Sequence, residues 1–333
     1  MIIQRTSKTT ISPRTREELL TRKTDKFHNA VRELRHPLGI YNLSLMNIWE
    51  TFEEVLDELD SVLEKQAFRN NPPDGTWDKK LMRRQEDLIA RMMRHFDDCL
   101  SLICCFYPLT PNKSREEDRE LVMKKPEVKQ AMKKVKTYCD HIANMMNHMK
   151  HYQGVLRGIV LFNDDISILG YYVERINQTG IIEPHPDIHP QFKGRHTAFS
   201  FNRDLRYKFW IVYAVSEIVA DAIQQIYPKS DTVQEDSNLE KQVFRIAKRL
   251  EQLPNYQFND EVYKDVPRIS VEENEETTHL ILEYPSQTTI LPSPFGNLQI
   301  ALAWVEDGIT NQMQMLYYPP GSPVTTYRQK ADT

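Results

Sequence analysis

Residues 126–152, PEVKQAMKKVKTYCDHIANMMNHMKHY, decide how this chain is read. Val128, Met132, Val135, Cys139, Ile142, Met146 and Met149 recur at alternating steps of four and three. That is an a/d seam on a single α-helix. Pro126 sits where a helix accepts proline, in its first turn, and Gly154 lies just past its end. A helix turns about 100° per residue, so Asn147, His148 and His151 all fall within about 60° of Asn144. Lys133, Thr137 and Asp140 extend this polar side backwards, and the seam lies opposite. One face belongs to a core, and the other is free for chemistry.

Helical periodicity continues on both sides. Leu45, Ile48, Trp49, Phe52, Val55, Leu56, Leu59 and Leu63 make a helix between about 43 and 68, closed by Asn70-Asn71-Pro72-Pro73-Asp74-Gly75. Leu81, Leu88, Ile89, Met92, Phe96, Cys99, Ile103 and Phe106 make a second, from about 78 to 107. Residues 15–37 are dense in charge and stop near Pro37, and residues 113–125 are a loop with a short helix. A deeply buried helix covers roughly 203–227, carried by Ile211, Val215, Ile218, Ala222 and Ile226, and a last helix runs from about 239 to 253.

Two segments break this pattern. Apolar, β-branched and aromatic residues flank Asn163-Asp164-Asp165, which predicts a β-hairpin at about 155–175. Beyond residue 263 short alternating runs appear, with an Asp307-Gly308 turn between two of them. The predicted fold is therefore mainly α, a long-helix bundle with an inserted β-hairpin and a small C-terminal antiparallel β unit. Its parts are an irregular N-terminus at 1–15, the bundle at 16–227, a linker and helix at 228–262, the β unit at 263–325, and a tail at 326–333.

Ten glycines against nineteen prolines, with 27% charged residues, fit a helical protein, because helix interiors exclude glycine. The net charge of −4 provides no global basic field for nucleic acid. Locally, residues 113–136 hold nine basic and five acidic side chains, an excess of +4 that is either a phosphate-contacting patch or a solvated helix start. The four cysteines form no Cys-x-x-Cys pair, residues 1–30 carry no apolar h-region, and the patch at 100–109 is too short to span a bilayer. A reduced, cytoplasmic setting without membrane contact is expected. Glycine-rich phosphate loops, the Gly-x-Ser-x-Gly elbow and His-Glu-x-x-His are absent from the sequence, so no nucleotide cofactor is assigned.

The candidate site follows from the polar face. His151, Asn147 and Lys150 are the catalytic candidates, and Asn144, His148, Asp140 and Lys133 the binding candidates. Histidine carries protons near neutral pH, and asparagine fixes a donor and an acceptor. His148 and His151 could share an ion with Asp140 or His141, with His185 or His189 as a further ligand, but the spacing does not require it and no metal is assigned.

Asn147-x-x-Lys150-His151, at the end of a long helix that follows two others, resembles the HEPN superfamily over about residues 40–227. The resemblance implies a bacterial helical-bundle protein of a toxin–antitoxin or antiphage defence module. Relatives of that kind are either ribonucleases or non-catalytic. Ribonuclease members carry an arginine, then four to six residues, then the histidine, and at those positions before His151 this chain has Asn144, Met145 and Met146. That arginine would stabilise developing phosphorane charge, and Arg157 is the one candidate substitute. The expectation is an interaction protein that binds a protein or RNA partner. Its seams suggest homodimerisation through helix faces. The alternatives are a metal-independent ribonuclease acting through His151, with Asn147 and Lys150 in support, and a structural scaffold whose β unit recruits a partner. The pairs Arg91/His95 and Arg32/His36 are weaker candidates of the same kind.

Overall fold

A computed structural model describes residues 1–6, 11–22, 27–70, 77–152, 154–227, 238–262, 264–273, 277–286, 299–303, 312–317 and 325–326. The helices are α1 (Arg14–Leu20), α2 (Pro37–Lys65), α3 (Lys79–Cys104), α4 (Arg115–Met123), α5 (Pro126–His151), α6 (Phe201–Ile226) and α7 (Asn238–Gln252). The strands are β1 (Ile2–Thr6), β2 (Leu156–Phe162), β3 (Ser167–Ile176), β4 (Ile181–Pro184), β5 (Phe199–Ser200), β6 (Val266–Glu273), β7 (Thr278–Ser286), β8 (Gln299–Leu302), β9 (Gln312–Met313) and β10 (Thr325–Thr326).

Local chemistry explains the helix ends. Pro37 starts α2 where the sequence reading stopped a helix; a first-turn residue needs no N–H, and His36 caps the end by accepting the Leu38 N–H. Ser114 and Glu117 close α4 with a reciprocal capping box. The long helices pack side by side: α2 on α3, and α5 on both α3 and α6. The α5 seam is spent inside the chain, since Val128, Val135, Cys139 and Ile142 are buried in the main core.

The expected mainly α architecture is overturned. Among the described residues 54% are helical and 20% lie in strands, and the strands build two sheets, one of them a curled half-barrel. The fold is mixed α/β. One sheet has the order β1-β7-β6, so residues 2–6, expected to be irregular, pair antiparallel with β7 from Ile2↔Glu283 to Thr6↔His279. The other has the order β10-β9-β4-β3-β2-β8, with β5 also on β3. The β2–β3 hairpin exists, with Leu156 opposite Val173 and Phe162 opposite Ser167, but it forms the middle of a sheet and not an insertion. The C-terminal strands do not make one small antiparallel unit. β6 and β7 join β1, β8 lies against β2, and β9 runs parallel to β4. The expected Asp307-Gly308 turn lies outside the described residues.

The physical reason is that β2 and β3 are buried on both faces. Val160, Phe162, Leu169, Tyr171 and Val173 enter the main core, whereas Ile159, Leu161, Ile168 and Tyr172 alternate into a second core with Ile182, Phe258, Leu302, Met313 and Tyr317. A hairpin enclosed on both sides needs strands at its edges and layers above and below it. α6 supplies one of those layers. It is the one described helix long and apolar enough to cross a membrane, yet most of it is buried within the protein, as befits a core helix.

Close approach fixes two glycines. At Gly170 in β3 a Cβ would strike the Phe199 carbonyl oxygen and the Phe258 ring, and at Gly158 in β2 it would strike Asp78 and Trp77. Asp78, at the start of α3, reaches across to accept the Gly158 N–H at 2.7 Å. Glu261 similarly accepts the N–H groups of Ser200 at 3.1 Å and Phe258 at 3.2 Å. Burial pushes both carboxyls up to about 7, against the opposing pull of these hydrogen bonds.

Chemical denaturation should show Gly170→Ala destabilising the protein by about 1–3 kcal/mol. Gly39→Ala in α2, where none of the described residues approaches the new Cβ, should stabilise it by roughly 0.5–1 kcal/mol. Because the folded pKa of Asp78 lies above its unfolded value of 3.8, the folded state holds that proton more tightly. Its contribution is complete below 3.8 and is lost as pH rises toward about 7. His95, His141 and His189, pushed down by burial to about 3, 4 and 3, pull the other way, so the test is the difference between two curves. Asp78→Asn should gain in stability on the unmodified protein as pH rises from 4 to 8, and a difference that does not change with pH would contradict the assignment.

Candidate functional site

α5 positions the sequence-predicted residues, and its inner side decides which way they point. Tyr138 packs edge-on against Trp210 of α6 with ring centroids 5.2 Å apart, and Met145 is fully buried. The opposite side faces solvent. Lys133, Asp140, Asn144, Asn147, Lys150 and His151 are all exposed, and so are Lys129, Lys134 and Lys136. Among the described residues no carboxylate pairs with these five lysines. By helical angle Lys129, Lys133, Lys136, Asn144, Asn147, Lys150 and His151 share one side of α5. From Lys129 to His151 this side runs for about 33 Å.

His148 stands apart from that group. It is half-buried, and its Nδ1 is enclosed without a hydrogen-bond partner among the described residues. Beyond α5 the chain turns sharply, as the Tyr152 and Gly154 N–H groups both donate to the His148 carbonyl, at 3.1 and 3.3 Å. Strand β3 then carries the chain back, and the His185 N–H donates to the Val173 carbonyl at 2.8 Å. This docks the turn after β4 on the last turn of α5. His185 and His148 meet with ring centroids 3.7 Å apart. Burial, and after it His148, push the His185 imidazole below its ordinary value. Asp187 completes a group of three whose ligand atoms lie within 4.8 Å of one another.

The other histidines are placed differently. His189 is buried and accepts the Val173 N–H on Nε2 at 3.0 Å, and burial pushes it down to about 3. His141 turns inward beside Tyr207 and is pushed down to about 4, first by burial and then by Lys208. Asp140, His141 and His151 do not join the cluster around His148. His95 is fully buried and bonded to Ser44 at 2.6 Å. Arg32 is committed to Asp118 and the Tyr107 carbonyl, and His36 to its helix cap. Arg157, the candidate substitute for the missing arginine, is buried in β2 and ion-paired with Glu174.

A buried polar cluster lies beneath α5, and sequence reasoning missed it. Asp204 of α6 accepts from Tyr171 of β3 at 2.8 Å, from Gln85 of α3 at 2.9 Å and from Lys208 one turn along. The Lys208 ammonium also donates to the Tyr171 hydroxyl at 2.9 Å. Burial lowers the Lys208 pKa, although Asp204 opposes this, and it raises that of Tyr171. The visible signal was an Asp and a Lys at i and i+4 on an otherwise apolar helix. Every member is enclosed, so the cluster holds the fold together and offers no surface to a ligand.

Lys208→Met strands the Asp204 charge and should cost about 3–5 kcal/mol in chemical denaturation. The Asp204→Asn/Lys208→Met pair should cost less than Lys208→Met alone, because no unpaired charge remains. A double variant that costs as much as Lys208→Met alone, or more, would contradict this.

No protein-family model, curated protein or solved structure matches the chain, so its chemistry has to come from its own residues.

Proposed function

We propose that this protein is an interaction protein that holds single-stranded RNA along the solvent side of α5, with no catalytic step assigned. The observation that carries the reading is the row of exposed lysines, Lys129, Lys133 and Lys136, with no carboxylate partner among the described residues, on a chain whose net charge is −4. Unneutralised ammonium groups spaced along one rigid rod suit a phosphate backbone, because each contact releases a condensed counterion. Asn144, Asn147 and His151 continue the same side beyond the lysines and can bond base edges or ribose hydroxyls. Asp140 is the acidic residue on this side, and it separates the lysines from the Asn and His group. The HEPN resemblance of Asn147, Lys150 and His151 belongs to the same proposal, since that superfamily includes proteins that act on RNA.

The proposal is tested by fluorescence anisotropy of a labelled single-stranded RNA with the full chain. Binding should weaken with salt, and Lys129→Gln/Lys133→Gln/Lys136→Gln should weaken it at least about tenfold while lowering the salt slope by about 2. Asn147→Ala should weaken binding and leave the slope in place. Binding that the triple variant leaves unchanged, or no binding at low salt, would overturn the reading.

A further inference from the structure

We infer that His148, His185 and Asp187 form a site for a divalent transition-metal ion at the end of α5. Two imidazoles and one carboxylate converge there from two elements that lie far apart in sequence, with ligand atoms within 4.8 Å of one another. Tetrahedral zinc, with bonds of about 2.0–2.2 Å, holds its ligand atoms about 3.4 Å apart. Binding would close that gap by side-chain rotation of His148, half-buried, and Asp187, exposed.

The surroundings favour the ion in three ways. His148 Nδ1 is enclosed without a hydrogen-bond partner among the described residues, and a metal would provide that nitrogen, or the tautomer it selects, with a defined role. His185 is already oriented: its Nδ1 accepts the Asp187 N–H at 3.3 Å, which leaves Nε2 for a ligand bond. The turn that presents it is rigid, since the Ile188 and His189 N–H groups both donate to the His185 carbonyl, at 3.1 and 2.8 Å. The site also lies at the C-terminus of a 26-residue helix, the end of the macrodipole that favours a cation.

The donor set selects the metal. Imidazole nitrogens with one carboxylate suit zinc, iron(II), cobalt(II) or nickel(II), whereas calcium and magnesium prefer sites made of oxygen alone. Three protein ligands at a half-exposed position leave a coordination place for water or an anion, unlike a closed four-ligand structural site. The sequence offered His185 only as an optional further ligand and did not name Asp187, because both reach His148 only through the return of β3 and β4. This inference draws on side chains other than the lysine row, so it stands or fails independently of RNA binding.

Isothermal titration of the metal-free full chain with zinc should give one site per chain, and cobalt(II) should develop the visible absorption of a low-coordinate imidazole complex. His148→Ala and Asp187→Asn should each weaken zinc binding by at least about tenfold, the scale on which losing a ligand or its orienting partner acts. His151→Ala and Lys129→Gln/Lys133→Gln/Lys136→Gln should leave it unchanged. In the unmodified protein, zinc should shield His148 and His185 from diethyl pyrocarbonate and leave His151 reactive, a readout that needs no variant to fold. No zinc binding at micromolar concentration, equal binding by the His148→Ala protein, or unshielded His148 and His185 would overturn the site.

Discussion

The structure depends on a charge that water cannot reach. Asp204 and Lys208 lie one turn apart on α6, enclosed by the core. An isolated charge there would be prohibitively costly, and the pair becomes tolerable only when its remaining donors and acceptors are met. Tyr171 of β3 and Gln85 of α3 meet them. The side chains fit only when α3, β3 and α6 hold one relative position. The apolar surface around them is plentiful but non-directional. The polar cluster is what sets the register between the helices and the half-barrel sheet.

That register places both surfaces at which function is proposed. α5 buries its seam against α3 and α6, which turns Lys129, Lys133 and Lys136 outward. Tyr171 fixes β3, β3 carries β4, and the turn beyond β4 delivers His185 and Asp187 to His148. Two proposed chemistries therefore meet on one helix. The lysine row suits phosphate along its length, and the histidine cluster suits a metal at its end.

What the sequence shows and what it hides divide along a physical line. Helical periodicity is local, so α2, α3, α5, α6 and α7 could be found from spacing alone, as could the Asn144–His151 polar side. The β2–β3 hairpin was also legible from its turn. Its importance was not, because a strand buried on both faces gives a continuous apolar run that does not name its neighbours. Pairing of β1 with β7, or of β2 with β8, joins segments far apart in the chain and leaves no local mark. For the same reason His185 could be named only as an optional further ligand to a His148–His151 pair and Asp187 not at all, whereas His141, three residues from Asn144, turned out to face the core. Proline was misjudged at residue 37, where a missing N–H favours the start of a helix.

The most direct measurement is the acetylation rate of each lysine in the native full chain, followed by mass spectrometry with and without single-stranded RNA. Lys129, Lys133, Lys134 and Lys136 should react quickly, and RNA should protect the Lys129, Lys133 and Lys136 row together. Lys208 should stay unreactive in both conditions and become reactive only on unfolding. Native acetylation of Lys208 at the rate of the exposed lysines would contradict the enclosed ion pair. Bound RNA that leaves the α5 row as reactive as before would contradict the role given to its surface.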